Sequence, residues 1–135
     1  MAKAYLLKQN EVKLTPVDIN DVSEIPDIIG CLLPDAVYPG EQFAISFEDL
    51  DAFENVVLWI DDMGAMRNDT VANLELVTTL LFGNVLITEY EDRDADDPVM
   101  IDMSEEKAKH YLTKMVCGRR NPYRTPEQKF QALGW

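Results

Sequence analysis

Two short runs rich in β-branched and aromatic residues place the strongest constraint on how this chain folds. Residues 56–60 are Val-Val-Leu-Trp-Ile, and residues 85–90 are Val-Leu-Ile-Thr-Glu-Tyr. Such residues pack well on a pleated sheet, and a continuous apolar run suits a strand that is covered on both faces. The sequence therefore predicts a β-sheet that contains both runs, with residues 56–60 in its interior.

Shorter patterns predict further strands. Residues 3–8 and 12–15 flank a polar turn and predict a hairpin. Residues 42–47 alternate apolar and polar side chains, which predicts a half-buried strand. Turn-forming residues between 33 and 40 predict an exposed connection.

Capping signals predict the helices. A short helix is predicted over residues 22–29, with Asp21 or Ser23 as its cap and Gly30 at its end. Residues 74–82 fit a helix or a strand, and flanking Asn73 and Gly83 favour the helix. A last helix is predicted over residues 105–116, following Ser104.

Strands and helices are mixed without regular alternation, and the chain contains no internal repeat. We therefore predict an α+β fold: a mostly antiparallel sheet with two or three helices packed on one side. A chain of 135 residues with 47% hydrophobic residues can bury one core. We assign residues 1–116 to a single domain and residues 117–135 to a C-terminal tail.

The charge is the unusual part of the composition. The chain has 25 acids and 12 bases, a net charge of −13. Residues 1–116 contain 24 of those acids and 8 of those bases, so the domain carries a net charge of −16 and the tail one of +3. Like charges favour solubility, and they also steer a protein toward partners of opposite charge.

The residues for common catalytic sites are scarce. His110 is the only histidine, in a segment typical of a solvated helix face, and Cys31 and Cys117 are the only cysteines. A nucleophilic triad would have to use His110 as its base, and a zinc site within one subunit would have to rely on carboxylates, which is uncommon. We therefore expect no enzyme activity, no cofactor and no metal. The start of the chain resembles no signal peptide, and no apolar stretch approaches the roughly 20 residues that span a bilayer, which predicts a cytoplasmic protein.

The densest acidic run covers residues 89–97. Asp92, Asp94 and Asp96 have the spacing that opens a calcium loop, but positions six and twelve are Asp97 and Met103, where an EF-hand needs Gly and Glu. The run therefore predicts no dedicated calcium site.

Two interpretations of this run stay open: a solvated loop, or a mimic of the phosphates of nucleic acid. A mimic would also use the acids near residues 18–27 and Asp69. The predicted partner-binding residues are Glu89, Glu91, Asp92, Asp94, Asp96 and Asp97, with Asp61 and Asp62 in support.

Asp61 and Asp62 directly follow the strand predicted at residues 56–60. Paired carboxylates at a strand end hold magnesium in some phosphoryl-transfer enzymes. A divalent-metal phosphodiesterase is therefore a third-ranked alternative, because Arg67 is the only nearby base that could grip a phosphate. A tight polar turn, in which Gly64 can accept a positive φ, is the preferred interpretation.

Three short motifs stand out: Val-Leu-Trp-Ile-Asp-Asp-Met-Gly from residue 57, Asn-Asp-Thr-Val-Ala-Asn from 68 and Leu-Phe-Gly-Asn-Val-Leu-Ile-Thr from 81. Together they resemble a family of small proteins of unknown function that are carried mainly by bacteriophages, plasmids and their hosts. The resemblance covers roughly residues 3–115. It implies an accessory protein of a phage or mobile element, acting in the host cytoplasm, and it brings no catalytic residue.

The leading hypothesis is a non-enzymatic protein that inhibits a host defence complex, such as CRISPR, or a nucleic-acid-handling complex, by binding its basic surface rather than nucleic acid itself or a membrane. The alternative is a protein that sequesters a nucleotide used in immune signalling. Its pocket would combine arginines with an aromatic ring; the candidates are Arg67, Arg119, Arg120, Arg124, Trp59 and Tyr123. Phe130 and Trp135 in the tail are candidates for a homodimer contact.

Overall fold

The computed structural model describes residues 2–9, 13–38, 54–66, 72–76 and 80–120. In chain order the strands and α-helices are β1 (Ala2–Leu7), β2 (Leu14–Ile19), α1 (Ile25–Ile29), β3 (Pro34–Val37), β4 (Val56–Asp61), β5 (Ala72–Leu76), β6 (Leu80–Phe82), β7 (Val85–Tyr90), β8 (Met100–Ile101), α2 (Glu105–Met115) and β9 (Val116–Arg120). Short 3-10 turns cover Val22–Glu24 and Gly64–Met66. The described residues thus form a mostly antiparallel α+β structure, as predicted.

The main sheet has the strand order β2-β1-β7-β4-β3, and β8 pairs with the end of β7. Every neighbouring pair is antiparallel. All six side chains of β7 are buried, because β1 and β4 pair with it on its two edges and the core covers both of its faces. The predicted strands at residues 56–60 and 85–90 and the predicted hairpin are confirmed.

Alternation along the strands creates a core on each face of this sheet. On one face, Tyr5, Leu58 and Ile87 pack with Ala108 and Tyr111 of α2. On the other face, Leu6 and Leu86 pack with helix α1; its buried side chains are Ile25 and Ile29. The prediction that the helices pack on one side is therefore wrong, because α1 and α2 cover opposite faces.

The helical segment predicted over residues 22–29 forms as a 3-10 turn over Val22–Glu24 followed by α1, and Asp21 caps the 3-10 turn. The Asp21 carboxylate accepts a hydrogen bond from the Ser23 N–H (3.2 Å), and Glu24 Oε1 accepts one from the Asp21 N–H (2.9 Å). This reciprocal capping box satisfies N–H groups that the first turn leaves unpaired. Gly30 ends the helix with a φ of +87°, which glycine adopts without the strain that a Cβ would cause.

Residues 72–76 and 80–82 form strands β5 and β6, so the prediction of a helix over residues 74–82 is wrong for the described part of that segment. β5 pairs with β6 and with β9 in a second antiparallel sheet. Asn73 is buried rather than a helix cap, and its Nδ2 donates to the Leu7 and Gly83 carbonyls, at 2.8 Å each. Gly83 has a φ of +79° in the turn before β7. Asn73 and Gly83, which flank the predicted helix, are therefore a buried hydrogen-bond donor and a residue of the turn between two strands.

Residues 34–37 were expected in an exposed connection, but they form β3 and pair with β4. Helix α2 is confirmed, with Ser104 Oγ accepting from the Lys107 N–H (3.1 Å). Its C-terminal neighbour β9 contains the first residues of the predicted tail. The predicted strand at residues 42–47 and residues 121–135 lie outside the described residues.

The longest helix within the described ranges is α2, with 11 residues. None of the helices in that part of the chain has the length and apolar character that crossing a membrane requires.

Candidate functional site

The eight acids predicted to bind a partner fall into two groups in the structure. Glu89 and Asp61 are buried, with 5% and 8% of their surface exposed. The other six are exposed; they are Asp62, Glu91, Asp92, Asp94, Asp96 and Asp97. A partner can therefore reach only the second group, and the expectation for Glu89 and Asp61 is corrected.

Glu89 is buried because it belongs to the face of β7 that packs on α2. Its Oε1 accepts a hydrogen bond from Lys107 Nζ (2.6 Å), and its Oε2 accepts one from the Tyr111 hydroxyl (2.5 Å). The hydrogen bond with Glu89 raises the pKa of Lys107. Burial, followed by the contact with Glu89, raises the pKa of Tyr111. The carboxylate therefore joins the helix to the sheet.

Asp61 closes a turn, as the preferred interpretation of this segment predicts. Its Oδ1 accepts a hydrogen bond from the Met63 N–H (2.9 Å). Gly64 follows, but its φ is not positive, and the reason for glycine is space. A Cβ at this position would lie 2.9 Å from the Phe82 carbonyl oxygen. The turn therefore does not use the positive φ that Gly64 could accept.

Asp61 and Asp62 also lie far from the main acidic run. Within β4, Val56 is opposite Glu89, whereas Asp61 is opposite Pro34. Five residues of strand at about 3.4 Å each separate the two ends by about 17 Å. The turn at Asp61 and Asp62 therefore belongs to the opposite end of the main sheet.

We call residues 91–97 the acidic loop. The Glu91 N–H donates to the Val99 carbonyl (2.8 Å), which joins the two sides of the loop at its base. Asp92 Oδ1 accepts from the Asp94 N–H (3.1 Å), and the Asp92 carbonyl accepts from the Ala95 N–H (3.2 Å). Arg93, the one base in the loop, lies with its Nε 3.9 Å from the Asp94 carboxylate. Most of the loop's negative charge faces solvent.

The acids that precede α1 lie at the same end of the sheet as the acidic loop. β2 ends at Ile19, opposite Ala2, so the chain reaches Asp21 beside the start of β1. Asp21 and Asp97 line one cavity of about 340 Å³. The sequence alone could not show that Asp21 and the acidic loop lie at the same end of the sheet. We call this face, with its exposed carboxylates, the acidic end; its members are Asp21, Glu91, Asp92, Asp94, Asp96 and Asp97.

The cavity between Asp21 and Asp97, which we call the acidic cavity, is lined by both polar and apolar groups. Besides the two aspartates its lining residues are the polar Asn20 and a hydrophobic set: Ala2, Ile19, Val22, Tyr90, Pro98, Val99 and Met100. No lysine or arginine is among the described residues that line it. Val22 and Val99 are 50% and 56% exposed at its mouth. The cavity therefore combines negative charge with exposed apolar surface.

A second cavity of about 260 Å³ adjoins the first and shares Val22, Tyr90, Asp97 and Pro98 with it. We call it the aromatic cavity, because Tyr38, Trp59 and Tyr90 line it. Burial raises the pKa of Tyr90, so its hydroxyl stays neutral at physiological pH.

Hydrogen bonds and a cation–π contact fix the walls of the aromatic cavity. Trp59 Nε1 donates to Thr88 Oγ1 (3.1 Å), and Thr88 Oγ1 donates to the Val57 carbonyl (2.9 Å). The Arg93 guanidinium lies 4.9 Å from the centre of the Tyr38 ring, within cation–π range. Arg93 is thus packed into the fold, with a side chain only 7% exposed.

Sequence reasoning missed the residues that shape the cavities. Val22 follows the helix cap, and Pro98 and Val99 directly follow the acidic loop. An apolar residue next to a dense acidic run is the signal that could have identified them. Trp59 was named for a nucleotide pocket; among the described residues that line its cavity, the one arginine is Arg93, which was not named for that pocket.

The structure adds no contacts or distances for the residues of the other proposed sites. Arg67, Tyr123 and Arg124 lie outside the described residues, and Arg119 and Arg120 belong to β9. His110 is exposed on α2, as predicted. Among the residues that the structure describes, no three of the types His, Cys, Asp and Glu are close enough together to hold a metal ion.

No protein-family model, curated protein sequence or solved structure matches this chain.

Proposed function

We propose that this chain is a non-enzymatic binding protein that places its acidic end on a basic, nucleic-acid-binding surface of another protein and blocks that surface. The observation that carries the proposal is that Asp21, an acid distant in sequence from the acidic loop, lies at the same end of the sheet as that loop. Asp21 and the acidic loop meet at the acidic cavity.

The arrangement of charge supports this partner class. The acidic loop presents Glu91, Asp92, Asp94, Asp96 and Asp97 within seven residues, with Arg93 as its only base. Phosphates along a DNA strand repeat about every 3.4 Å, and closely spaced carboxylates present a comparable series of negative groups. A surface that binds phosphates through lysine and arginine would bind such a series as well, with fast and salt-sensitive association.

The biological setting is part of the proposal. The resemblance to phage- and plasmid-borne proteins supports an accessory protein that acts in the host cytoplasm against a defence or nucleic-acid-handling complex. Inhibition would follow from competition: a basic groove filled by the acidic end cannot bind nucleic acid at the same time.

Capture from bacterial lysate tests the proposal, with two double variants of equal net charge. D94K/D96K reverses two exposed acids of the acidic loop, and D35K/D62K reverses two exposed acids at the opposite end of the sheet. We expect the wild-type protein and D35K/D62K to retain a nucleic-acid-binding protein at low salt and to release it at high salt. D94K/D96K should lose it.

Each captured protein is then tested for DNA or RNA binding in the presence of the wild-type chain. Loss of nucleic-acid binding supports the proposal. Capture that is equal for the two double variants, or insensitive to salt, contradicts it, as does a captured protein that still binds nucleic acid when saturated with the chain.

A further inference from the structure

The acidic cavity has the chemistry of a site for one long cationic side chain. Its two charged groups are both carboxylates, from Asp21 and Asp97, and its other walls are largely apolar. Lysine and arginine carry a positive group on an aliphatic stem, and they bury the stem along apolar surface while the charge stays near water or a counter-ion. Both parts of such a side chain find complementary groups in this cavity.

We propose that the acidic cavity receives a lysine or arginine side chain of the partner. This inference rests on the proposed function and names the contact that would give it specificity. The cation lies between the carboxylates of Asp21 and Asp97, and the stem lies against Val22, Val99 and Tyr90.

The mouth of the cavity supports insertion of a partner side chain. Val22 and Val99 are at least half exposed, although both are apolar and flank a polar loop. Apolar residues around a recessed charged pocket exclude water when a partner closes over them, which strengthens a charge pair at the centre of an interface. The exposed carboxylates of the loop form the polar rim around this pocket.

Arg93 shows that this region accommodates a guanidinium group. It belongs to the adjoining cavity, where its guanidinium lies over the Tyr38 ring and near the Asp94 carboxylate. A second cation in the acidic cavity would face Asp21 and Asp97, and no base is among the described lining residues there. A phosphate or another anion would meet two carboxylates, so its binding is disfavoured.

The Asp21 cap of the 3-10 turn that precedes α1 remains compatible with binding. One oxygen of Asp21 accepts from the Ser23 N–H, and a carboxylate has about four lone-pair sites on two oxygens. Asparagine is as good an N-cap as aspartate, so D21N removes the charge while it keeps the cap. This variant separates the electrostatic contribution of Asp21 from its structural contribution.

The experiment is an NMR titration of the full chain with Nα-acetyl-arginine amide and Nα-acetyl-lysine amide. Nα-acetyl-norleucine amide, which has a similar stem without a charge, is the matched probe. We expect saturable backbone shifts concentrated at residues 19–22 and 97–100 with the cationic probes. The norleucine probe, D21N and D97N should each show about tenfold weaker binding, as expected when a charge-assisted contact is lost.

V22F tests the cavity itself, because a larger side chain at its exposed mouth fills the space without a change of charge. L33F is the control, since Leu33 is also exposed and lies outside the lining residues. Loss of binding in V22F, with normal binding in L33F, supports the inference. Equal affinity for the arginine and norleucine probes, or unchanged binding in V22F, overturns it.

The outcome is independent of the capture experiment. Asp94 and Asp96 do not line the acidic cavity. A wild-type chain that captures a basic partner through the loop but binds neither cationic probe would refute the cavity inference alone. A chain that binds the probes but captures no nucleic-acid-binding protein would refute the proposed function and leave the cation site in place.

Discussion

Replacement of Glu89 should weaken the fold and leave partner binding unchanged. In E89A the Tyr111 hydroxyl, on a residue only 6% exposed, loses its acceptor, and Lys107 Nζ loses a carboxylate partner at 2.6 Å. In E89Q the side-chain oxygen still accepts a hydrogen bond from the Tyr111 hydroxyl. The amide NH2 group takes the place of the carboxylate oxygen that faces Lys107, and it cannot accept a hydrogen bond from Lys107 Nζ. The two variants therefore separate the hydroxyl contact from the ion pair.

The magnitude follows from the exposure of each partner. The Lys107 side chain is 45% exposed, so it regains water when the ion pair is lost, and that contribution is about 0.5–1 kcal/mol. The Tyr111 hydroxyl is buried, and a buried donor without an acceptor costs about 1–3 kcal/mol. We therefore expect a loss of about 1 kcal/mol in the free energy of unfolding for E89Q and of about 2–4 kcal/mol for E89A.

Urea denaturation followed by circular dichroism at neutral pH measures both losses. E91A is the matched control, because Glu91 is only two residues away but exposed; its effect should stay within about 0.5 kcal/mol. If E89A is as stable as E91A, the assignment of Glu89 as the link between β7 and α2 is refuted. If folded E89Q loses the captured partner, Glu89 contributes to binding and its exclusion from the acidic end is refuted.

Three further predictions concern stability. The pKa values of Tyr90, Lys107 and Tyr111 are all raised, so the native state holds these protons more tightly than the unfolded state does. The stability that these groups contribute is complete below about pH 10 and is lost as the pH rises through their raised pKa values. Denaturation measured at stepped alkaline pH will detect this loss. A flat profile across that range would contradict the raised values. N73A should lower the free energy of unfolding by about 2–4 kcal/mol, because Asn73 Nδ2 donates to the Leu7 and Gly83 carbonyls. N73D should lower it further, because a carboxylate cannot donate to those carbonyls. N84A, which removes a half-buried amide, should have a smaller effect than either in the same urea assay. G64A should lower the free energy of unfolding by about 1–3 kcal/mol, since its Cβ would lie 2.9 Å from a backbone oxygen that cannot easily move; a neutral G64A would show that the turn relaxes freely.

Features set by local physics were predictable from the sequence. Residues 56–60 and 85–90 form strands, and the Asp21 cap with Gly30 bounds the first helical segment. These features depend on side-chain preference and on hydrogen bonds within a few residues. They therefore leave a pattern in a single short window of sequence.

Features set by tertiary contacts were not predictable in the same way. Asn73 and Gly83 have the identities of a helix cap and a helix stop, but a buried amide and a tight turn require the same two residues. The side of the sheet that each helix covers depends on which strand face it meets. No local window contains that information.

The candidate site shows the same division. The acidic loop was identifiable from composition, because its five exposed acids lie within seven residues. Glu89 was assigned to it by adjacency, although the two-residue period of β7 places Glu89 with Val85 and Ile87. The cavities could not be predicted, because their walls come from segments that are distant in sequence, such as Val22 and Val99.

The hydrogen bonds at the base of the acidic loop bear on how quickly the proposed complex would separate. The Glu91 N–H joins the loop to Val99, while Asn55 accepts from the N–H groups of Tyr90 and Arg93, at 2.9 and 3.2 Å. These bonds hold the backbone at the base of the loop, so the proposed binding would not need to order it. Preorganisation of this kind would lower the conformational entropy lost on association and lengthen the lifetime of that complex more than it would speed the encounter.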